Sequence, residues 1–123
     1  MCTAAAAQSW PTKSVRLINS FPPGGGTDTF ARPLAARLSQ AMRQQFIVET
    51  SAAGGTLGAG RAAKEASDGY TFLIGAVPHT IAETLYTKLP YQLERDFIPI
   101  TVIATVPNVI VVNPTRDSRR SPS

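Results

Sequence analysis

The sequence predicts an α/β fold, with an open, doubly wound and mostly parallel sheet. Three short apolar runs, Val15–Asn19, Phe46–Glu49 and Tyr70–Gly75, have the length and composition of strands. Helical patterns separate them, and a chain that alternates strands with helices folds as a parallel sheet covered by those helices. The 123 residues, 43% hydrophobic and 16% charged, suit a single globular domain.

The first helix is predicted from about Thr29 to Arg43. An apolar face at helical spacing supports it and consists of Leu34, Ala35, Leu38 and Met42. Pro33 complicates this helix, because a proline beyond the first turn removes a backbone donor. The helix is therefore expected either to kink or to start later than the pattern suggests.

The second helix is predicted to open in Gly54–Gly60 and to run to about Ala66, and its small residues would let it lie close to the sheet. Asp68–Gly69 ends it. The third strand, Tyr70–Gly75, is apolar on both faces, as a central parallel strand covered on each side by helices should be. We therefore expect this strand to lie in the middle of the sheet.

After the third strand, the pattern predicts a loop that holds Pro78 and His79, and then a short helix at about Ile81–Tyr86. Two further extended runs follow, Phe97–Ala104 and Asn108–Val112. They complete a βαβαβα-ββ order, which the usual rules of handedness and short connection fold into an open doubly wound sheet.

Three segments are predicted along the chain. Residues 1–9 are small and Ala-rich, and they are either the remnant of a signal-peptide cleavage region or a disordered leader. Residues 10–114 form the domain. Residues 115–123 carry no periodic apolar residues and are predicted to be disordered. No run approaches the roughly 20 apolar residues of a membrane span, so no direct membrane insertion is predicted.

Composition argues against two classes of partner. Part of the net charge of +4 comes from the Arg-rich tail, and no Lys/Arg cluster is interleaved with aromatic residues, so nucleic acid is not predicted as a partner. The single cysteine, Cys2, cannot form an internal disulfide, and no Cys/His spacing suits a metal ion. We predict neither a metal nor a cofactor.

The turn Phe21–Asp28 reads Phe-Pro-Pro-Gly-Gly-Gly-Thr-Asp and joins the first strand to the first helix. Its glycines leave N–H groups uncovered and the helix adds the positive end of its dipole, so the turn favours an anion. A carboxylate fits the donors, which are the Gly24–Gly26 amides, the Thr27 hydroxyl and the helix N-terminus. Asp28 could cap the helix, accept from bridging water or meet a ligand ammonium group, and plain N-capping by both side chains is the simpler interpretation.

A dinucleotide-binding domain of an enzyme is the alternative. Gly24-x-Gly26 follows a strand and opens a helix, and Glu49 ends the second strand, where a ribose-binding acid would lie. The third glycine position holds Thr29 instead, two prolines come between the strand and the glycines, and Asp28 would place a negative charge beside the pyrophosphate. Carboxylate binding therefore fits the turn better.

His79 is the only histidine, and it is predicted at the carboxyl edge of the sheet, where ligands of open α/β folds bind. A lone loop histidine is more often solvated than functional. No Ser or Cys nucleophile is evident for it to activate, and the sequence positions no pair of acids. We therefore predict a protein that is not an enzyme.

Five motifs occur in order along the chain: Phe21–Asp28, Ala52–Ala59, Asp68–Leu73, Lys88–Tyr91 and Arg95–Thr101. Together they resemble the Bug/TctC family of extracytoplasmic solute receptors over nearly the whole predicted domain. The resemblance implies one lobe of a two-lobed, type II-like periplasmic binding protein. Such a receptor closes over a small carboxylate ligand and delivers it to the membrane components of a tripartite tricarboxylate transporter. It binds without catalysis or a cofactor.

In that family, the turn matching Phe21–Asp28 forms one wall of the cleft, and the loop after the third strand lies beside it. The resemblance therefore implies these ligand-binding residues: Phe21, Pro22, Pro23, Gly24, Gly25, Gly26, Thr27, Asp28, Val77, Pro78, His79 and Thr80. It makes His79 a plausible cleft residue instead of a solvated one. The opposite wall is implied to come from a second lobe.

The chain departs from the family pattern in places. Family members run to more than twice this length, and after Pro114 the sequence passes into an Arg/Ser tail unlike the family. We therefore expect an incomplete first lobe with an unpaired sheet edge, and weak ligand binding or none by the chain as given. Asn19–Ser20 stands where an apolar–Pro pair is more usual, and Ala82–Glu83 replaces Asn-Pro, so the resemblance does not identify the ligand.

Overall fold

The computed structural model of the chain describes residues 10–51, 55–107, 109 and 111. The strands are β1 (Val15–Asn19), β2 (Phe46–Thr50) and β3 (Thr71–Ile74), and the helices are α1 (Gly26–Met42), α2 (Gly55–Ala62), α3 (Val77–Leu85) and α4 (Leu93–Asp96). Strand and helix alternate as far as α3, which is the order of a parallel α/β sheet.

The three strands form one parallel sheet in the order β2-β1-β3. Val15 pairs with Phe46 on one side of β1, and Arg16 pairs with Thr71 on the other. The chain thus adds β2 on one side of β1 and then crosses to the other side for β3, which puts α1 and α2 on opposite faces. The predicted fold class, an open, doubly wound and parallel α/β sheet, is confirmed.

Among the three described strands, β1 lies in the middle and β3 at an edge, so the central position predicted for Tyr70–Gly75 is not found in the described sheet. Four of the five residues of β1 are buried, whereas in β3 only Ile74 is. An apolar composition on both faces shows only that helices cover the strand. It does not distinguish a central strand from an edge strand, because the position within the sheet depends on the crossover directions.

One hydrophobic core lies between α1 and the sheet. Its buried side chains come from all three strands and from the helix: Val15, Leu17, Ala31, Ala35, Phe46 and Ile74. Ala31 and Ala35 lie four residues apart on one face of α1, where their small size lets the helix approach the strands. Trp10 closes one end of this core, with its ring centroid 6.4 Å from that of Phe46.

Helix α1 begins at Gly26, three residues before the predicted start at Thr29. Gly25 precedes it with extended geometry (φ −74°, ψ 173°), so the last glycine of the turn is already helical. Pro33 lies inside the helix, and the alternative that the helix starts later than the pattern suggests is therefore wrong. The helix ends at Met42, one residue before the predicted end.

Helix α2 spans Gly55–Ala62 and ends four residues before the predicted end at Ala66. The middle of the helix packs tightly on the sheet: a Cβ on Gly58 would lie 2.9 Å from Ser20 Cα, and nearer still to Ser20 Cβ. The close approach predicted from the small residues is confirmed. Asp68–Gly69 does not end the helix but forms a bend just before β3.

Helix α3 begins at Val77, so Pro78 and His79 lie in its first turn and not in a loop as predicted. A proline suits the first turn of a helix. The His79 side chain hydrogen-bonds Ala76 just outside the helix, which stabilises the early start. The helix predicted at Ile81–Tyr86 therefore begins four residues earlier and ends one residue earlier.

Beyond α4 the described residues form no further strand, so the prediction of a strand at Phe97–Ala104 is wrong. Ile98, Ile100 and Val102 are 89%, 71% and 79% exposed. An extended segment persists as a strand where a neighbour completes its backbone hydrogen bonds, and none of the described strands pairs with this one. The second predicted run, Asn108–Val112, lies partly outside the described residues.

The predicted leader, residues 1–9, and the predicted tail, residues 115–123, lie outside the described residues, and the domain boundaries stay a prediction.

The longest described helix, α1, has 17 residues and includes the charged Asp28 and Arg32. In the described ranges, no helix is long and apolar enough to cross a bilayer.

Replacing Gly58 with alanine is expected to destabilise the fold, because the new Cβ would occupy the space of Ser20. Overpacking of this kind costs about 1–3 kcal/mol. It outweighs the roughly 1 kcal/mol that alanine gains over glycine within a helix. Urea unfolding followed by circular dichroism measures the difference in free energy.

Gly26→Ala is the matched control for this experiment. In the part of the chain that the structure describes, its added Cβ would meet no neighbouring atom within 4 Å. We expect this variant to be as stable as the wild type or slightly more stable. If Gly58→Ala were also as stable as the wild type, the tight contact of α2 with β1 would be contradicted.

Candidate functional site

The candidate site lies at the carboxyl ends of the three strands. Strand β1 ends at Asn19, β2 at Thr50 and β3 at Ile74, and α1, α2 and α3 begin on the same side of the sheet. Each helix N-terminus presents unbonded backbone N–H groups and the positive end of a dipole. Ligands of open α/β sheets bind outside this edge, and an anion suits it.

Asn19 organises the turn between β1 and α1. Its fully buried side chain accepts hydrogen bonds at Oδ1 from Phe21 N–H, at 3.3 Å, and from Thr27 Oγ1, at 2.9 Å. The Thr27 hydroxyl was predicted as a donor to the ligand, but it already donates its proton inside the turn. Asn19 is thus the structural centre of this turn.

Asp28 is 4% exposed and lies in the first turn of α1. Its Oδ2 accepts hydrogen bonds from Gly24 N–H at 2.9 Å and from Arg32 Nε at 2.7 Å. The Arg32 guanidinium, and then the Gly24 amide, hold the pKa of Asp28 below its ordinary value, so the carboxylate is ionised. Gly25 occupies the N-cap position. Plain N-capping by Thr27 or Asp28 is therefore wrong, and Asp28 instead reaches back to the turn.

Two buried polar atoms of this turn have no hydrogen-bond partner among the described residues, namely Asn19 Nδ2 and Asp28 Oδ1. One is a donor and the other an acceptor. The Asn19 side chain also lowers the pKa of Asp28, although less than Arg32 and Gly24 do. A buried donor and a buried acceptor of this kind are commonly satisfied by an ordered water molecule.

The three glycines of the turn do not provide three free amides. Gly24 N–H donates to Asp28, and Gly25 N–H donates to the Pro22 carbonyl oxygen at 3.2 Å. The unbonded donors come slightly later, at Gly26–Asp28, whose N–H groups have no acceptor within the described ranges. They are the first donors of α1, for which a helix has no preceding carbonyl groups.

His79 is 2% exposed, so the interpretation as a solvated loop residue is wrong. Its Nδ1 lies 3.0 Å from Ala76 N, and its Nε2 lies 2.8 Å from Ser20 Oγ. Nδ1 also lies 3.1 Å from the Ala76 carbonyl oxygen, so its contacts with Ala76 fit either tautomer, and the hydrogen bond between Nε2 and Ser20 fits either direction. Burial lowers the pKa of His79, which favours the neutral ring.

The Ser20–His79 pair is a structural contact and not a nucleophile with its base. A nucleophilic serine must be accessible to a substrate, but Ser20 is fully buried, with Gly58 of α2 packed against it, and His79 is 2% exposed. The sequence showed no evident Ser or Cys nucleophile for His79 and did not reveal this contact, although Ser20 and His79 follow adjacent parallel strands.

Phe21 and His79 lie where the N-termini of α2 and α3 meet. Their rings pack edge to face with centroids 5.1 Å apart. Gly55 begins α2 directly against them, and a Cβ there would lie 3.2 Å from the Phe21 ring and 3.7 Å from His79 Nε2. The residues that precede Gly55 in the matching motif, Ala52–Gly54, lie outside the described residues.

The structure brings the two predicted stretches of the site together only in part. Phe21 contacts His79, while Val77, Pro78 and Thr80 are exposed on the first turn of α3. The Thr80 hydroxyl donates to the Val77 carbonyl oxygen at 2.7 Å. Three residues that hold the site together were not predicted to belong to it: Asn19, Ser20 and Gly55. Their signal was their position, since each lies where a strand ends or a helix begins.

Glu49, the acid of the dinucleotide alternative, belongs to a charge cluster. Its two carboxylate oxygens accept from Arg16 Nε at 2.6 Å and Nη2 at 2.9 Å, and Arg61 lies 3.8 Å away. Arg16 also bonds Glu65 at 2.9 Å. Arg16, more than any other neighbour, lowers the pKa of Glu49. These contacts occupy the carboxylate that would have to accept the ribose hydroxyls.

The fold and this edge define an α/β lobe with a site suited to a small anion. Residues 30–120 match the model of the tripartite tricarboxylate transporter family receptor, TctC. The chain therefore belongs to this family, and the recognition made from the five motifs is confirmed. The family is one of receptors, which agrees with the prediction that the protein is not an enzyme.

Individual relatives agree with this assignment. BugT of Bordetella pertussis is 38% identical over 112 residues, which cover 89% of this chain and 34% of BugT. The solved structure of MatC from Rhodopseudomonas palustris, with bound malate, has a TM-score of 0.68 at 36% identity and covers 76% of this chain and 33% of MatC. A structure described as a periplasmic transporter has a TM-score of 0.62 at 40% identity, covering 67% and 28%. The chain spans about a third of the length of the curated relatives it matches.

Acidic solution is expected to destabilise the fold through His79. In the folded chain, burial holds the pKa of His79 below 6.5, the ordinary value to which it returns on unfolding. As the pH falls below 6.5, the unfolded chain takes up a proton that the folded chain does not, so the free energy of unfolding decreases. An NMR titration of the ring Cε1–H should give a midpoint below 6.5 in the folded protein.

Urea unfolding at pH 7 and pH 5 completes this test. His79→Gln has no titrating ring and should therefore lose less stability than the wild type between the two pH values, since the carboxyl groups contribute equally to both. A folded-state midpoint at or above 6.5, or an equal loss in the two proteins, would contradict a buried neutral His79.

Proposed function

We propose that this chain is the first lobe of a periplasmic solute receptor and that it binds a small carboxylate at the N-terminus of α1. The observation that carries the proposal is the set of three N–H groups at Gly26–Asp28, which find no acceptor among the described residues. They begin a helix of 17 residues at the carboxyl edge of a parallel sheet. Such donors are suited to a carboxylate.

Family membership supports the same ligand class. The chain belongs to a family of tripartite tricarboxylate transporter receptors, and MatC, a relative of known structure, holds malate. Malate carries two carboxylates, so one can meet the N-terminus of α1 while the other is held elsewhere. We propose that the opposite wall of the cleft comes from the second lobe of the complete receptor.

The proposed contact residues are the two stretches singled out from the sequence, Phe21–Asp28 and Val77–Thr80. Within them, Gly26–Asp28 supply amides, and the Phe21 ring and the first turn of α3 supply the adjoining surface. Asp28 is charged but engaged with Arg32 at 2.7 Å, which offsets its repulsion of an incoming anion. The buried Ser20–His79 contact fixes α3 beside this turn.

The proposed mechanism is binding without chemistry. The carboxylate gives up water for N–H groups that are already in position, so little ordering is needed at this wall. The second lobe then closes over the ligand, and the loaded receptor delivers it to the membrane components of a tripartite transporter. This role places the complete receptor in the periplasm.

The dinucleotide alternative has weaker support. Its acid, Glu49, is bonded to Arg16 through both oxygens, and Gly24 N–H is already taken by Asp28. Saturable binding of NAD by the chain, lost in Glu49→Ala, would favour the alternative over the proposal.

Gly26→Pro is expected to weaken carboxylate binding, because it removes one of the three free N–H groups and leaves the helix start intact. Proline is well tolerated at the first helical position, and the extended geometry of Gly25 suits the residue before a proline. A hydrogen bond to a charged group contributes about 1.5–3 kcal/mol, so the dissociation constant should rise about tenfold or more. Amide chemical shifts of the chain during titration with malate measure it.

Gly26→Ala keeps the N–H group and is the matched control, with an affinity expected to equal that of the wild type. Because the chain spans about a third of its relatives, we expect millimolar binding, with shifts centred on Gly26–Asp28 and His79. Sodium chloride at equal ionic strength separates binding from screening. Shifts confined to other residues, or equal affinities for the proline and alanine variants, would contradict the proposed site. Micromolar affinity would contradict the view that this wall binds weakly alone.

A further inference from the structure

We propose that Tyr91 is a positioning residue of the carboxylate site: it holds the first turn of α3, and with it His79, in the place where the Phe21 ring packs. Tyr91 acts through His79 and is not itself a ligand contact. Its effect on binding rests on the proposed function, whereas its effect on His79 does not. The inference gives a role to the motif Lys88–Tyr91, which the carboxylate site does not otherwise use.

Tyr91 anchors the connection between α3 and α4. This connection runs over residues 86–92, all of which the structure describes, and Tyr91 alone among them is buried. Its side chain is 1% exposed, whereas the neighbouring Pro90 and Gln92 are exposed. An aromatic side chain contributes a large apolar area when it is buried, so it fixes the segment that carries it.

Two contacts join Tyr91 to His79. The Tyr91 hydroxyl donates a buried hydrogen bond to the His79 carbonyl oxygen at 3.3 Å. The two rings also pack edge to face, with centroids 6.4 Å apart. Burial raises the pKa of Tyr91, so the hydroxyl keeps its proton at neutral pH and stays a donor. Tyr91 thus holds both the backbone and the ring of the same residue.

Neighbouring residues fix Tyr91 in turn. Pro90 rests directly on α2, since a Cβ on Gly60 would lie 2.5 Å from Pro90 Cγ. The ring of Phe97, just after α4, packs edge to face on the Tyr91 ring with centroids 6.4 Å apart. Contacts on the side of α2 and on the side of α4 therefore give Tyr91 a fixed position from which to hold α3.

His79 connects this anchor to the proposed carboxylate position. Its ring lies against Phe21 with centroids 5.1 Å apart, and Phe21 opens the turn that leads to the unbonded N–H groups of Gly26–Asp28. Binding groups keep their geometry where the residues behind them are locked by packing and hydrogen bonds. Loss of the Tyr91 contacts therefore lets His79 and Phe21 move, and the N–H groups lose part of their preorganisation.

Two variants separate the contacts of Tyr91. Tyr91→Phe keeps the ring and loses the hydrogen bond, whereas Tyr91→Leu loses both contacts. Amide shifts of Gly26–Asp28 during titration with malate should give a dissociation constant that rises about threefold in Tyr91→Phe and about tenfold or more in Tyr91→Leu. Without ligand, the nuclear Overhauser contacts between the Phe21 and His79 rings should weaken in the same order. The pKa of His79 should move toward 6.5 in Tyr91→Leu, because the ring becomes less buried.

Trp10→Leu is the matched control, because Trp10 packs beside Phe46, the first residue of β2, at the other end of the sheet. It should lower the free energy of unfolding in urea but leave the affinity for malate and the His79 signals as in the wild type.

Three outcomes are decisive. Unchanged affinity and unchanged ring contacts in both Tyr91 variants would overturn the inference, and so would a loss of affinity in Trp10→Leu as large as that in Tyr91→Leu. If Tyr91→Leu does not fold, Tyr91→Phe alone decides. If malate shifts no amide of Gly26–Asp28 in the wild type, the proposed function is contradicted, and the ring contacts measured without ligand still decide whether Tyr91 positions His79.

Discussion

The position of β1 determines where every other described element lies. Both edges of this strand are hydrogen-bonded, to β2 and to β3, and both faces are covered by helices. The residues at its carboxyl end therefore contact all three helices that begin at this edge. Asn19 meets the turn before α1, and Ser20 meets Gly58 of α2 and His79 of α3. The candidate site is assembled around the last residue of one central strand and the residue that follows it.

This arrangement explains how a chain with few polar groups at the carboxyl edge of its sheet still holds oriented donors. The glycines make the turn possible, but Asn19 and Asp28 determine its shape by accepting hydrogen bonds from Phe21, Gly24 and Thr27. These hydrogen bonds engage the donors of the turn, whereas the first backbone N–H groups of the helix stay unbonded. The turn is thus preorganised by its own side chains, and the proposed ligand would not compete with them for the same donors.

Sequence patterns predicted the elements of the fold well where local composition decides them. Strand β1 has the predicted bounds, Val15–Asn19, and the close contact at Gly58 followed from small residues. Patterns failed where a tertiary contact determines where an element begins or whether it forms. His79 extends α3 toward its start by bonding Ala76, and its partner Ser20 lies 59 residues away in the sequence. The apolar run after α4 has strand composition, but a strand also needs a neighbour, which composition does not report.

The contact between Ser20 and His79 has a consequence for the energetics of a receptor. It joins the end of β1 to the first turn of α3, and the Phe21 ring and Gly55 fill the space beside it. The helices therefore cannot slide past one another at this edge without breaking a buried hydrogen bond and a ring contact. In the proposed receptor, these contacts would order this wall during folding, so its conformational entropy would not be lost when the ligand binds. The proposed closing motion would then move this wall as one unit.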